Sequence, residues 1–406
     1  MSNGNIVLDC PYAKKCGGCQ LQNMDYERQL KFKMAQVVKL LGKFHRVSDI
    51  IGTENPYHYR NKVQVTFGRT RAGKTIAGNY QPSSHCIVNI DRCLLNSEKA
   101  DEIIEYIKQI MPNFRMFPYN EDTKTGFLRH ILVKHSFATG EIMVVLVAGR
   151  PEFPQRKEWL KRLLEEFPEI TTVLFNVNGE KTSMILGEKE EILYGKGYIE
   201  DELCGCRFRI SAKSFYQVNA RTTAKLYGTA IGFAGLSGNE TVIDAYCGTG
   251  TIGLVASKKA KTVIGVELNE DAVRDAKTNA KLNGITNAEF YQGDAGRFMR
   301  DLASRGEKAD VVIMDPPRAG SGKTFLNSVL KLSPEKIVYV SCNPETLRRD
   351  LFTLTQGGYK VRKIQPMDMF PHTEHVETCV LLVRELQSSD KSASIKVKVD
   401  GINMRE

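Results

Sequence analysis

No stretch of this 406-residue chain is apolar for anything near the roughly 20 residues that a bilayer-spanning helix requires. The first residues, Met1 to Asn5, carry no basic region followed by an apolar run, so no secretory leader is read there. Both absences lead to the expectation of a cytoplasmic protein with no membrane partner. Acidic residues are scarce at the start: residues 1–100 hold 7 Asp and Glu against 15 Lys and Arg. That imbalance suits a polyanion such as RNA or DNA, and it equally suits a plain basic surface. A second C-x2-C pair is missing beside the first, which speaks against a zinc site built from two knuckles. The G-x-G-x-x-G turn of dinucleotide folds is missing too.

What is present begins with thiols. Ten cysteines in a cytoplasmic protein point to metal ligation or catalysis rather than disulfides. Three fall within ten residues, Cys10, Cys16 and Cys19, spaced C-x5-C-x2-C. Gly17 and Gly18 let the backbone turn tightly enough for Cys16 and Cys19 to converge on one centre. A fourth ligand is required, with Cys93 the first choice and Cys86 the second. A radical-cofactor site uses a tighter three-cysteine spacing, so a [4Fe–4S] cluster with a distant fourth cysteine fits best. Helical periodicity follows from about Tyr26 to Lys43. Leu30, Met34, Val37, Val38 and Leu41 form one apolar stripe, with Arg28, Lys31, Lys33 and Lys39 on the other faces. The cluster is read as a staple for this basic helix. Residues 50–200 mix strand and helix patterns, and Tyr57 to Lys62 interleaves aromatic and basic side chains suited to bases and phosphates. This middle part reads as an α+β module that presents RNA.

From about Phe208 strands and helices alternate, as in a parallel sheet with crossover helices. Thr241 to Ala245 runs into Gly248-Thr249-Gly250, where glycines let the backbone approach a ligand. Glu267 ends the next strand and can accept from both hydroxyls of a ribose. Asp294, after the third strand, can accept from an adenine amino group. Asp315-Pro316-Pro317 ends the fourth strand and places a carboxylate over the reacting centre. The set suits S-adenosylmethionine.

A D-P-P turn alone would leave an exocyclic amine as target. Cys342, in Ser341-Cys342-Asn343-Pro344 after a buried strand, changes that. An amine has its own lone pair, but C5 of a pyrimidine is a poor nucleophile. A thiolate adding at C6 makes C5 enolate-like, after which a base must remove the C5 proton. Glu377 is the first choice of base, with His372 and His375 beside it to orient it or shuttle protons. A metal site or a polar strand end would be the plainer reading of that segment. Cys204, Cys206, Cys247 and Cys379 read as packing or incidental thiols.

These segments, together with Ser214-Phe215-Tyr216-Gln217-Val218-Asn219, resemble the RNA uracil-C5 methyltransferases, from Cys10 to about Glu385. The resemblance implies Cys342 as nucleophile and Glu377 as base. It implies S-adenosylmethionine contacts from Gln217, Tyr246, Thr251, Glu267, Asp294 and Asp315, and [4Fe–4S] ligation by Cys10, Cys16, Cys19 and Cys93. The cluster points to the branch acting on 23S ribosomal RNA, with a transfer-RNA uridine, a cytosine, or a non-catalytic RNA-binding iron–sulfur protein as alternatives. Only nine residues precede Cys10, so the small β-barrel domain of many ribosomal members is expected to be missing. The expected fold class is α/β: a Rossmann-like S-adenosylmethionine methyltransferase domain preceded by an α+β RNA-binding domain carrying an iron–sulfur cluster. The expected divisions are 1–49 for the cysteine segment and basic helix, 50–205 for the central domain, 206–386 for the methyltransferase domain and 387–406 for a flexible tail. A monomer with no obligate protein partner is expected.

Overall fold

The computed structural model describes residues 9–385; the tail expected over 387–406 lies outside them. Seven strands make the first sheet: β1 (Lys62–Arg69), β2 (Thr75–Tyr80), β3 (Ile87–Asn89), β4 (Leu128–His135), β5 (Ile142–Ala148), β6 (Ile170–Val177) and β7 (Lys189–Tyr194). Their spatial order is β3-β2-β1-β4-β5-β6-β7. A hairpin, β8 (Ile199–Leu203) and β9 (Cys206–Ile210), leads out of it. The second sheet holds β10 (Thr241–Ala245), β11 (Thr262–Glu267), β12 (Ala288–Gln292), β13 (Val311–Met314), β14 (Lys336–Ser341), β15 (Tyr359–Met367) and β16 (Glu377–Arg384). Its order is β12-β11-β10-β13-β14-β16-β15. The helices are α1 (Ala13–Cys16), α2 (Tyr26–Leu41), α3 (Glu98–Ile110), α4 (Arg156–Glu166), α5 (Ala220–Ala234), α6 (Thr251–Ser257), α7 (Glu270–Leu282), α8 (Ala295–Ser304), α9 (Lys323–Leu332) and α10 (Pro344–Gln356).

The second sheet follows from its sequence. Strands β10, β13 and β14 are Val- and Ile-rich and buried almost throughout, as strands covered on both faces must be. The first five strands in spatial order, β12 to β14, run parallel. Strand β16 enters between β14 and β15 in the opposite direction. The beginning of β16 therefore lies at the same edge as the ends of the parallel strands, which is where open α/β sheets bind ligands. The two sheets share packing: Leu132, Val145 and Leu174 of the first belong to one buried cluster with Val242, Val338 and Val340 of the second, bridged by Phe208 and Leu226.

Two expectations about the N-terminal quarter are corrected. Helix α2 exists, but the face it buries is Gln29, Lys33, Val37 and Leu41, at strict spacings of four. Val38, expected in the stripe, is 46% exposed. Lys33, expected on a basic outer face, is fully buried, its Nζ 2.5 Å from the Oδ1 of equally buried Asp368 and 2.9 Å from the carbonyl of Phe370. A long-range ion pair thus overrides the hydrophobic pattern. Val37 and Leu41 pack with Leu347, Leu351 and Ile364 of the methyltransferase half. The aromatic-basic run is likewise turned inward. Tyr59 is buried, with its hydroxyl donating to the carbonyl of Pro371, and the Asn61 side chain donates to the carbonyl of Gln217.

Candidate active site

Strand register brings the reacting groups together. Ser341 of β14 pairs with Thr378 of β16, so Cys342 and Glu377 come next in that antiparallel ladder. Met314 of β13 pairs with Tyr339 of β14 and with Ala245 of β10, which puts Asp315 beside Tyr246 and one strand from Cys342. Val266 pairs with Ala245, and Glu267 with Gln292. One edge thus carries Tyr246, Glu267, Asp315, Cys342 and Glu377. Asn343 caps α10 by accepting from the Glu345 N–H. Its amide also donates to the Arg318 carbonyl. The Cys342 turn is thereby tied to the Asp315 turn, with the thiol left half-exposed.

The electrostatics are those of an acid cluster. Burial raises the Glu377 carboxyl to about 8, with Asp315 adding to the effect and Arg318 opposing it. Burial alone raises Asp315 to about 7. The Cys342 thiol is pushed up to about 11, first by burial, then by Glu377 and Asp315, again with Arg318 opposing. Three groups that would each carry negative charge share one low-dielectric corner, the arrangement that divergent acid–base roles require. Asp244 lies beneath, buried and raised to about 8; it accepts from the Gly253 N–H at 2.7 Å and so anchors α6. Gly250 turns the chain into that helix at φ 81°, where a Cβ would meet the Phe290 ring at 2.9 Å. Only glycine fits both constraints.

The residues expected to contact the cofactor divide. Glu267 takes N–H donors from Gly248 and Asn269, which fixes its carboxylate at the strand tip. Tyr246 adopts φ 62° and lays its ring 4.9 Å from that of Phe325. The Thr251 hydroxyl is within 2.9 Å of the Tyr227 hydroxyl, and Asp294 accepts from the Arg297 N–H to cap α8, so both also have structural work. Gln217 is held through its carbonyl by Asn61.

His372, expected to orient the base or shuttle protons, lies in the connection before β16. It is buried, its charged form is disfavoured by burial and by Lys33, and its pKa falls to about 4. Gln29 and Asp368, which help to hold its segment, were not singled out by sequence, and Lys33 was placed on a basic outer face. The only signal was a polar residue at each of two four-spaced positions of α2.

Cys10, Cys16, Cys19 and Cys93 are all half-buried. The Cys19 thiol is raised to about 12 by burial and, after that, by Cys93, with Cys10 and Cys16 contributing and Arg60 opposing. Gly17 takes φ 65°, and a Cβ there would lie 2.1 Å from Pro82. The Asn79 amide approaches the Cys16 sulfur at 3.8 Å, and a cavity lined by Arg60, Asn79 and Cys93 lies alongside. Four thiols suit an iron–sulfur group in kind. Their present arrangement does not, since among the described residues no three His, Cys, Asp or Glu side chains are placed to hold a metal ion. Among these residues, too, no helix is long and apolar enough to cross a membrane.

A model of the tRNA (uracil-5-)-methyltransferase family matches residues 25–385. The chain is similar to an uncharacterized RNA methyltransferase of Clostridium acetobutylicum, 47% identical over 382 residues that cover 92% of this chain and 83% of that one. It is also similar to an uncharacterized RNA methyltransferase of Bacillus cereus, 44% identical over 381 residues, with coverage of 93% and 83%. Among solved structures it resembles the Pyrococcus abyssi tRNA (uracil-54, C5)-methyltransferase in complex with S-adenosyl-L-homocysteine. That match has a TM-score of 0.76 and 29% identity, and covers 90% of this chain and 86% of the other.

Proposed function

The chain belongs to the RNA uracil-C5 methyltransferases, and from that premise we propose which residues do the chemistry and which RNA they act on. The enzyme catalyses S-adenosylmethionine-dependent methylation of uracil at C5 in RNA. What supports the residue assignment is the register in which Ser341 pairs with Thr378, so that Cys342 and Glu377 follow them at one sheet edge.

The Cys342 thiolate adds to C6 of the uracil, and the electron pair moves to C5. S-adenosylmethionine supplies an electrophilic methyl group, which C5 takes as the methyl–sulfur bond breaks. The Glu377 carboxylate then removes the C5 proton. The C6–sulfur bond breaks as the double bond re-forms, and the thiolate is regenerated. A buried carboxyl raised to about 8 is a stronger base than an exposed one, which suits its carboxylate to taking the C5 proton. Glu267 holds the ribose, Asp294 the adenine, and Gln217, Tyr246, Thr251 and Asp315 the remainder of the cofactor. The domain divisions at 49, 205 and 386 remain the working boundaries.

The RNA is a 23S ribosomal RNA, and Cys10, Cys16, Cys19 and Cys93 hold a [4Fe–4S] cluster that braces the N-terminal segment. What supports the cluster is the C-x5-C-x2-C spacing of Cys10, Cys16 and Cys19 with Cys93 as a fourth thiol, all of them half-buried. Anaerobically purified protein should be brown, with about four irons per chain; one zinc and no colour would end the cluster assignment. With labelled S-adenosylmethionine, the label should enter one or more uridines of 23S RNA. Incorporation into transfer RNA alone would overturn the ribosomal assignment and leave the chemistry intact.

A further inference from the structure

We infer that Gln29, together with the Lys33–Asp368 pair, is a positioning device that sets Glu377 for proton removal, acting through the segment between β15 and β16. The inference rests on the reading of Glu377 as the base. Residues 368–376 join two neighbouring strands, and the direction in which Glu377 emerges depends on how that connection is held. Apart from the Asn219 amide, which donates to the Met369 carbonyl, it is held from outside its own domain. Lys33 grips its beginning at the Asp368 carboxylate and the Phe370 carbonyl. Gln29 grips its middle: its Oε1 accepts from the His372 N–H at 2.8 Å, and its Nε2 lies 3.1 Å from His372 Nδ1. The same Nε2 donates to the Met24 carbonyl at 2.9 Å, which fixes the amide's orientation.

His372 itself adopts φ 67°, a left-handed conformation that a side-chain-bearing residue keeps only where its surroundings enforce it. Its carbonyl accepts from the Leu21 N–H at 3.0 Å, and its ring stacks on Tyr57 at 4.6 Å. Apart from Asn219, every one of these supports comes from the first 60 residues of the chain, and none belongs to the sheet that carries Cys342. Left without them, His372 relaxes, and the start of β16 shifts relative to the thiol.

The two halves of the reaction separate the outcomes. Adduct formation and methyl transfer use Cys342; only the release step, in which the C5 proton leaves and the C6–sulfur bond breaks, uses Glu377. With 5-fluorouridine RNA the reaction stops before release, so trapping reports the first half alone. Gln29→Met keeps the side chain's length and removes both contacts to His372. It should trap on fluorinated RNA at close to the wild-type rate. Turnover on ordinary RNA should fall about 10- to 100-fold, the loss expected from a displacement of about 1 Å. A methylated, denaturation-resistant adduct should then accumulate on ordinary RNA. Gln29→Glu keeps the acceptor for the His372 N–H and should lie between the two; it carries the test if Gln29→Met does not fold. Equal losses in trapping and turnover would mean a merely structural role, and unchanged turnover would overturn the inference outright. Glu377→Gln is the reference: if it accumulates no adduct, the base assignment itself fails, whatever Gln29→Met does.

Discussion

Two sets of buried ionisable groups lie at opposite ends of one short connection, and they are built on opposite terms. Asp368 faces Lys33 at 2.5 Å, both fully buried; each charge has its counter-charge, although burial still raises the Asp368 carboxyl and lowers the Lys33 amine. Five residues after His372, Glu377 sits with Asp315 and Cys342, three potential anions opposed by the exposed Arg318. The first set is compensated, so it holds shape. The second is uncompensated, so its groups hold their protons more tightly and are stronger bases once ionised. Burial acts on both, and the presence of a partner decides whether it yields a fastener or a reactive site.

Breaking the compensated pair should have the largest effect on stability. Lys33→Met strands the Asp368 carboxylate in the interior and should cost about 3–5 kcal/mol in unfolding free energy. Adding Asp368→Leu should recover much of that loss, because the pair is replaced by packing rather than halved. Denaturant unfolding of the single and double variants checks this; additive losses would show that the two residues do not act as a pair.

Relieving the uncompensated set should have a smaller effect of the opposite sign. The folded Glu377 carboxyl is raised from an ordinary 4.5 to about 8. Its favourable contribution is therefore complete below pH 4.5 and is lost as pH rises through 8. Glu377→Gln should match the wild type in stability near pH 4 and exceed it by about 1–3 kcal/mol at pH 8, while losing turnover. Melting temperatures across that range read the difference; a variant less stable at pH 8 would show that Glu377 is compensated after all.

The same contrast explains what could be read from the chain in advance. Cys342, Asp315 and Glu267 each follow a strand of short apolar residues, so local pattern and the general rule about strand ends located them together. Glu377 was found through the segment before it, although the antiparallel insertion of β16 that brings it to Cys342 has no local signal. Lys33 was misplaced because its partner lies 335 residues away, and a helical wheel knows nothing of partners. Tyr59 and Asn61 were taken for RNA-facing groups for the same reason; their contacts, Pro371 and Gln217, belong to the other half of the chain. The cysteine segment could be recognised by spacing, but spacing does not say how the sulfurs are oriented.

The most direct test of the account is to trap the protein on 5-fluorouridine RNA with S-adenosylmethionine and map the cross-link by mass spectrometry. A methylated nucleotide on Cys342, absent from Cys342→Ala, is the expected result. An adduct on another cysteine, or methylation that survives in Cys342→Ala, would contradict it.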